Sequence, residues 1–434
     1  MTNIKAPFEN APMSRAQLII IALTITLSGL DGYDVLSVTF AAPAIAQDWG
    51  VGRTALGIVL SAGLAGMAAG SFIIAPLADV FGRKLMVLIA LCLMATGMLL
   101  CTYATSVEAL VAWRVITGLG IGTCVAVINP IAAEFSNRRR RPLAIALTAV
   151  GYPLGGLVGA LLATYLLRQH GWPSVFFSGF LAAVALLPLV AWQMPESVSY
   201  LFACRGKNRL ERINAVLRRC EQPLIERLPE RALTHRSYAA VFSSGQLSRT
   251  LWITAVNGLM VATVYYIMSW MPQMIADAGF PPSTASLVAS VSSFMGVVGG
   301  LLFGWLAQRG GLRRLTAGGL IALGLATINF GATPPSVVLL VIAAGICGFC
   351  IFACASGVYI TLASSFTDEA RAAGSGFVIG VGRVVSAIAP SLAGLLFAGG
   401  FSRMQVCLFY GALSVVGGIV CLFGWQRFSG VASR

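Results

Sequence analysis

The sequence predicts an all-α integral membrane protein of twelve transmembrane helices arranged as two six-helix halves. Hydrophobic residues make up 58% of the 434 and charged residues only 10%, against roughly 45–50% and about 25% in soluble domains. The chain also divides into twelve apolar runs, at 16–42, 54–78, 85–104, 108–132, 142–167, 174–194, 250–276, 284–307, 314–332, 336–363, 372–398 and 404–426. Each is near the roughly 20 residues that a helix needs to cross a bilayer. Finally, a polar, arginine-rich stretch separates the sixth run from the seventh. It divides the chain into an N-terminal half at 1–199, a linker at 200–249 and a C-terminal half at 250–434.

The net charge of +14 raises the question of a nucleic-acid partner. Placement answers it. Of the 29 lysines and arginines, only Arg53, Arg168 and Arg403 fall in one set of loops, and Arg114 and Arg383 lie inside spans. The rest, including Lys5, Arg83, Lys84, Arg138 to Arg141 and the cations of the linker, fall on the opposite side. This is the positive-inside signature. It predicts a multi-pass protein with both termini cytoplasmic, so the basic charge reports topology and not nucleic acid. Met1 to Ser14 carries no cleavage pattern, so the first span is expected to remain as an anchor. The 10 cysteines lie nearly all in spans or on the cytoplasmic side, where disulfides are not expected. Cys347, Cys350 and Cys354 share a helical face without histidine or carboxylate company, which predicts helix packing and no metal.

In the first span, Asp31-Gly32-Tyr33-Asp34 puts two carboxylates into a membrane-grade segment. An acid at the centre of a span costs roughly 2.5–3.5 kcal/mol on insertion scales, so two of them point to function. At i and i+3 they share a helical face, their titrations are coupled, and the pair can hold one proton. Tyr33, between them, is a candidate for stacking on a ligand ring. After the second span come Asp79, Gly82, Arg83 and Lys84. The stretch from Ala75 to Lys84 aligns without gaps to that from Gly304 to Arg313, including Gln308 and Gly310, which is the trace of a repeat between the halves. The fourth span holds Arg114, with Gly118, Gly120 and Gly122 allowing close helix contact. A buried arginine there needs a partner, and a first-span carboxylate is the nearest candidate.

The linker contains Leu210, Ile213, Val216 and Leu217 at helical spacing, which fits either an amphipathic helix on the membrane surface or a solvated tether. In the second half, Arg383 sits deep in the eleventh span. A planar guanidinium fork there suits a carboxylate substrate. The structural alternative needs an acid in the same half, and Asp277, Asp368 and Glu369 all lie near span ends. Asn129 and Asn257 are read first as helix contacts. His170 and His235 lie at a helix end and in the linker, so no histidine-based catalytic or metal site is available, and no phosphate-binding glycine loop occurs. These features exclude an enzyme or an ATP-driven pump. They leave a gradient-driven carrier that needs no cofactor beyond the coupling proton.

The residues resemble the major facilitator superfamily. Asp79, Gly82, Arg83 and Lys84 match its loop pattern, although Ala75 replaces the first glycine and Val80 the arginine. The chain is similar more specifically to the aromatic acid:proton symporters. This likeness is carried by Asp31-Gly32-Tyr33-Asp34, Ala132-Ala133-Glu134-Phe135, Gly171-Trp172, Met194-Pro195-Glu196-Ser197 and the run from Arg371 to Arg383. It implies proton-coupled uptake of a small aromatic carboxylate across the bacterial inner membrane, with the lipid bilayer as surroundings and no obligate protein partner. By the same likeness Asp31, Asp34 and Glu134 serve proton coupling, Arg114 and Arg383 bind substrate, and the Asp79 loop gates. Two alternatives stand beside it, a proton-coupled carrier of a non-aromatic organic anion and a proton-antiport exporter. The second draws on Gly151-Tyr152-Pro153, which is faintly similar to an exporter pattern.

Overall fold

The structure, a computed structural model, describes residues 11–204, 208–226, 247–307, 309, 311–366 and 371–428. Lys5, His235, Gln308, Gly310, Asp368, Glu369 and linker residues 227–246 lie outside the described residues. Among the described residues, twelve helices are long and apolar enough to cross a membrane. They span Arg15–Trp49, Arg53–Phe81, Arg83–Thr102, Val107–Glu134, Arg141–Gln169, Pro173–Gln193, Leu247–Asp277, Pro282–Ala307, Leu312–Ala332, Val337–Ser365, Arg371–Ala398 and Arg403–Phe428, and are numbered here in that order. Several outrun their apolar stretches, because backbone hydrogen bonding continues through polar end residues such as Gln47 and Asp48 that hydropathy leaves out.

Helix 2 is not uniformly α. After Ala69 it passes through a π turn at Gly70–Ile74, where the Ala75 N–H donates to the Gly70 carbonyl, and then a 3-10 turn at Ala75–Leu77. Pro76 supplies the reason. Its ring has no N–H to donate and crowds the carbonyl four residues back, so a regular α ladder cannot continue through it.

The chain groups into two compact units. One comprises Met1–Val35, Gly66–Gly155 and Phe176–Thr234, and the other Leu36–Ala65, Gly156–Val175 and His235–Arg434. In the first unit, helices 3 and 4 pack along their lengths, and helix 1 meets helix 5 through glycine. A Cβ at Gly32 would overlap the Tyr152 carbonyl, so no larger residue fits between Asp31 and Tyr33 without parting the two helices. The glycines expected to bring helix 4 close do so at Gly120, whose Cβ position lies 2.6 Å from the Ala90 carbonyl oxygen. In the second unit, helix 8 packs on 10, 9 on 12 and 7 on 11. Tyr266 and Tyr410 stack with ring centroids 4.1 Å apart in its core. All ten cysteines are free thiols, and Cys347 Sγ donates to the Ala326 carbonyl, a helix-to-helix contact.

Within the described linker residues, Arg209–Arg219 forms a short amphipathic helix that buries Ile213, Val216 and Leu217 and turns Arg212, Arg218 and Arg219 outward. Just beyond it, Gln222 Nε2 donates to Gln17 Oε1 at 3.2 Å, tying the linker to the start of helix 1. A solvated tether does not describe this stretch.

Candidate functional site

The four residues at the centre of helix 1 are divided among three neighbouring helices, as steps of about 100° per residue require. Asp34 faces helix 4. Arg114 Nη1 donates to Asp34 Oδ1 at 2.6 Å and Nη2 donates to the Asp34 carbonyl at 3.1 Å. The side chains are 1% and 0% exposed, and the Phe176 ring lies 6.0 Å from the guanidinium carbon. Asp31 lies one turn away and is 2% exposed. Gly32 lies against helix 5. Tyr33 turns to helix 6, where its hydroxyl shares a hydrogen bond with Ser178 Oγ at 2.6 Å and its ring edge packs against Gly179. The ring expected to stack on a ligand is thus occupied in packing. It is 7% exposed. Arg114, expected to bind substrate, is paired with the first-span carboxylate that burial required as its partner.

A second cluster forms where the loop after helix 2 meets the ends of helices 4 and 6. Arg83 Nη1 pairs with Glu134 Oε1 at 2.7 Å, and Ser197 Oγ donates to Glu134 Oε2 at 2.7 Å. Glu196 Oε1 accepts from the Arg83 N–H at 2.8 Å, the Lys84 N–H at 3.2 Å and the Ser197 N–H at 2.8 Å, neutralising the amide end of helix 3. Gly82 makes this possible: its φ of +102° suits glycine, and a Cβ there would overlap the Glu196 carboxylate. Lys84 Nζ donates to the Ala191 carbonyl at 2.6 Å, satisfying the carbonyl end of helix 6. Asp79 is exposed in the first turn of the short Ala78–Phe81 segment.

Glu134 therefore stands apart from the acid pair with which the sequence grouped it. Twenty residues separate it from Arg114 on one helix, about 30 Å at 1.5 Å per residue. Its partners are the loop cation and Ser197. Glu196 and Ser197 complete this cluster, and sequence reasoning marked them only as a likeness, through Met194-Pro195-Glu196-Ser197. The signal was a carboxylate and a hydroxyl just past a span, facing a loop rich in cations and amides.

Arg383 lies partly buried in helix 11, in the other unit, and its carbonyl accepts from Ser386 Oγ at 2.7 Å. Beside it, Gly382 gives room to Asn257, whose Nδ2 donates to the Val378 carbonyl at 3.2 Å. Asn257 is the helix contact that the sequence suggested. Asp277, a candidate counter-ion for Arg383, is bonded to Arg53 at 2.6 Å.

Twelve spanning helices with a desolvated carboxylate–guanidinium pair and a charged loop clamped at the helix ends define a polytopic membrane carrier. The chain belongs to the Major Facilitator Superfamily, which it matches over residues 21–274 and 250–430. It is a transporter and not an enzyme. It is 31% identical over 394 residues to a gallate transporter of Pseudomonas putida, covering 88% of this chain and 86% of that one. It is 30% identical over 390 residues to the 4-hydroxybenzoate transporter PcaK of Acinetobacter baylyi, covering 87% and 84%. A benzoate transport protein of the same organism is 25% identical over 447 residues, covering 97% and 92%. The fold is similar to that of a solved structure of the xylose transporter XylE of E. coli, with a TM-score of 0.74 and 15% identity over 95% of this chain and 96% of that one.

Proposed function

We propose that this protein is a secondary active transporter that takes up a small aromatic carboxylate together with protons across the cytoplasmic (inner) membrane, by alternating access and with both termini cytoplasmic. The carrying observation is the buried Asp34–Arg114 pair with Asp31 one turn away. The names of the relatives support an aromatic carboxylate, and the skew of cations supports the orientation. Asp34 balances Arg114, Asp31 carries the proton, and Arg383 offers its fork to the substrate carboxylate. Protonation removes negative charge before the anion binds, so the proton binds first. The Asp79 loop, with Arg83, Glu134 and Glu196, holds one conformation closed. The coupling ion is the proton, and the reading invokes no cofactor and no protein partner.

Uptake of labelled 4-hydroxybenzoate into proteoliposomes under an inward pH gradient tests this. Accumulation is expected and should collapse with a protonophore. Concentrative uptake sustained by a sodium gradient alone would overturn proton coupling, and a gradient that drives only efflux would make the protein an exporter. A second reading, carriage of a non-aromatic organic anion, draws on the engagement of the Tyr33 hydroxyl with Ser178. Equal competition by aliphatic acids would favour it.

Two variants probe the roles assigned. Arg383→Lys should lose nearly as much substrate binding as Arg383→Ala, since an ammonium cannot form the two parallel bonds of the planar fork. Normal affinity in the lysine variant would make Arg383 structural. Glu134→Gln should alter the rate of exchange while leaving the final proton-driven accumulation ratio unchanged. A lowered ratio would return Glu134 to proton coupling.

A further inference from the structure

Helix 6 ends on two successive carbonyls, and each is met by a cation. Lys84 Nζ, from the first turn of helix 3, donates to the Ala191 carbonyl at 2.6 Å. Arg219 Nη2, from the end of the linker helix, donates to the Trp192 carbonyl at 2.8 Å and to Gln193 Oε1 at 3.2 Å. All of these residues belong to one compact unit. Carbonyl oxygens of successive helical residues lie roughly 3–4 Å apart, so an ammonium and a guanidinium brought from distant parts of the chain converge on one helix end. The acceptors they meet are uncharged. Among the described residues neither cation makes an ion pair, and Glu196 accepts from the Lys84 backbone N–H and not from its ammonium. An ammonium has three donors and a guanidinium five. One carbonyl uses one of the first, and Arg219 uses only Nη2, so both keep donors for a further acceptor. Arg218, adjacent and exposed, adds a third positive charge.

The surface around this cluster is apolar. The Trp192 ring is 75% exposed. Leu189, three residues earlier on the same helical face, and Leu85, next to Lys84, are 47% and 44% exposed. An indole at the end of a spanning helix takes the level of the lipid headgroups, where one part of the ring is wet and the other apolar. Unneutralised cations bordered by an indole and two leucines match a molecule with an anionic, oxygen-rich head and a long hydrocarbon tail. A small soluble anion would use the cations alone and leave the apolar rim unmatched.

We infer that Lys84 and Arg219 hold the phosphate of an anionic phospholipid beside Trp192, with an acyl chain along Leu85 and Leu189, so that one lipid bridges the start of helix 3 and the linker helix. The site stands apart from substrate choice and proton coupling, and its test reads neither. Purified protein in detergent is titrated with phosphatidylglycerol, phosphatidylcholine or inorganic phosphate, bound ligand is counted by native mass spectrometry, and the thermal midpoint is followed alongside. One phosphatidylglycerol should bind tightly and raise the midpoint, with phosphatidylcholine and inorganic phosphate each at least about fivefold weaker, the worth of one cation beside an anionic lipid. Arg219→Gln should raise the dissociation constant for phosphatidylglycerol about fivefold, and Lys84→Gln combined with Arg219→Gln about 25-fold. Arg138→Gln with Arg139→Gln removes as many exposed cations from the turn before helix 5 and should leave the tight site unchanged. Equal binding of phosphatidylcholine by the parent protein, or an equal loss in the Arg138 and Arg139 variant, would overturn the site and leave only a general attraction of the basic surface. Inorganic phosphate bound as tightly as the lipid would overturn the lipid assignment in favour of a free anion. The comparison of ligands uses the parent protein and holds whether or not the variants fold.

Discussion

Arg114→Ala is expected to strip the membrane of most folded carrier. The substitution leaves Asp34, which is fully buried, without the guanidinium that meets both its carboxylate and its carbonyl. Removing one member of a buried ion pair costs about 3–5 kcal/mol, a large share of the roughly 5–15 kcal/mol that keeps a typical domain folded. Arg114→Lys should fall between, because an ammonium can satisfy the carboxylate but cannot reach the carbonyl in the same plane. Asp34→Asn combined with Arg114→Gln removes both charges and should recover much of the folded yield while transport stays lost. Monodisperse yield in detergent and the thermal midpoint are the measurements. An Arg114→Ala protein as stable as its parent would show that Asp34 gains nothing from its partner.

Asp31→Asn should separate exchange from accumulation. Asparagine imitates the protonated acid, so an anion can still bind and be swapped for another across the membrane, but no proton is carried and a pH gradient has nothing to drive. Asp34→Asn should behave differently, because it takes the counter-charge from Arg114 and disturbs both activities. Isotopic exchange and gradient-driven uptake measured side by side on the two variants decide this. If each keeps full gradient-driven accumulation, the acid pair is not where the proton travels. If Asp34→Asn alone retains exchange, the two acids have the opposite roles.

The twelve spans and the basic linker were legible because bilayer thickness and charge placement act on contiguous residues. The Asp34–Arg114 partnership was legible too, since an arginine in a span demands a carboxylate and the first span offered two. What remained hidden depends on direction around an axis. Tyr33 shares its segment with both acids, yet two steps of about 100° turn it toward Ser178 and away from helix 4. Glu134 was grouped with Asp31 and Asp34 by the family likeness, and distance along helix 4 sets it apart from the Asp34–Arg114 pair. Arg53 and Asp277 read as ordinary end charges, because nothing local joins residues 224 positions apart.

The π turn at Gly70–Ile74 has a consequence for register. It holds one residue more than an α turn, so the residues after it fall about 100° behind where a continuous α-helix would place them, an offset that the tighter 3-10 turn at Ala75–Leu77 partly makes up. The residues before the turn are therefore out of phase with the segment that delivers Gly82 and Arg83 to Glu196 and Glu134. A single-residue deletion within Gly70–Ile74 would turn the loop to a different azimuth and aim it away from both carboxylates. The extra residue thus works as a phase setting that aims the loop at them.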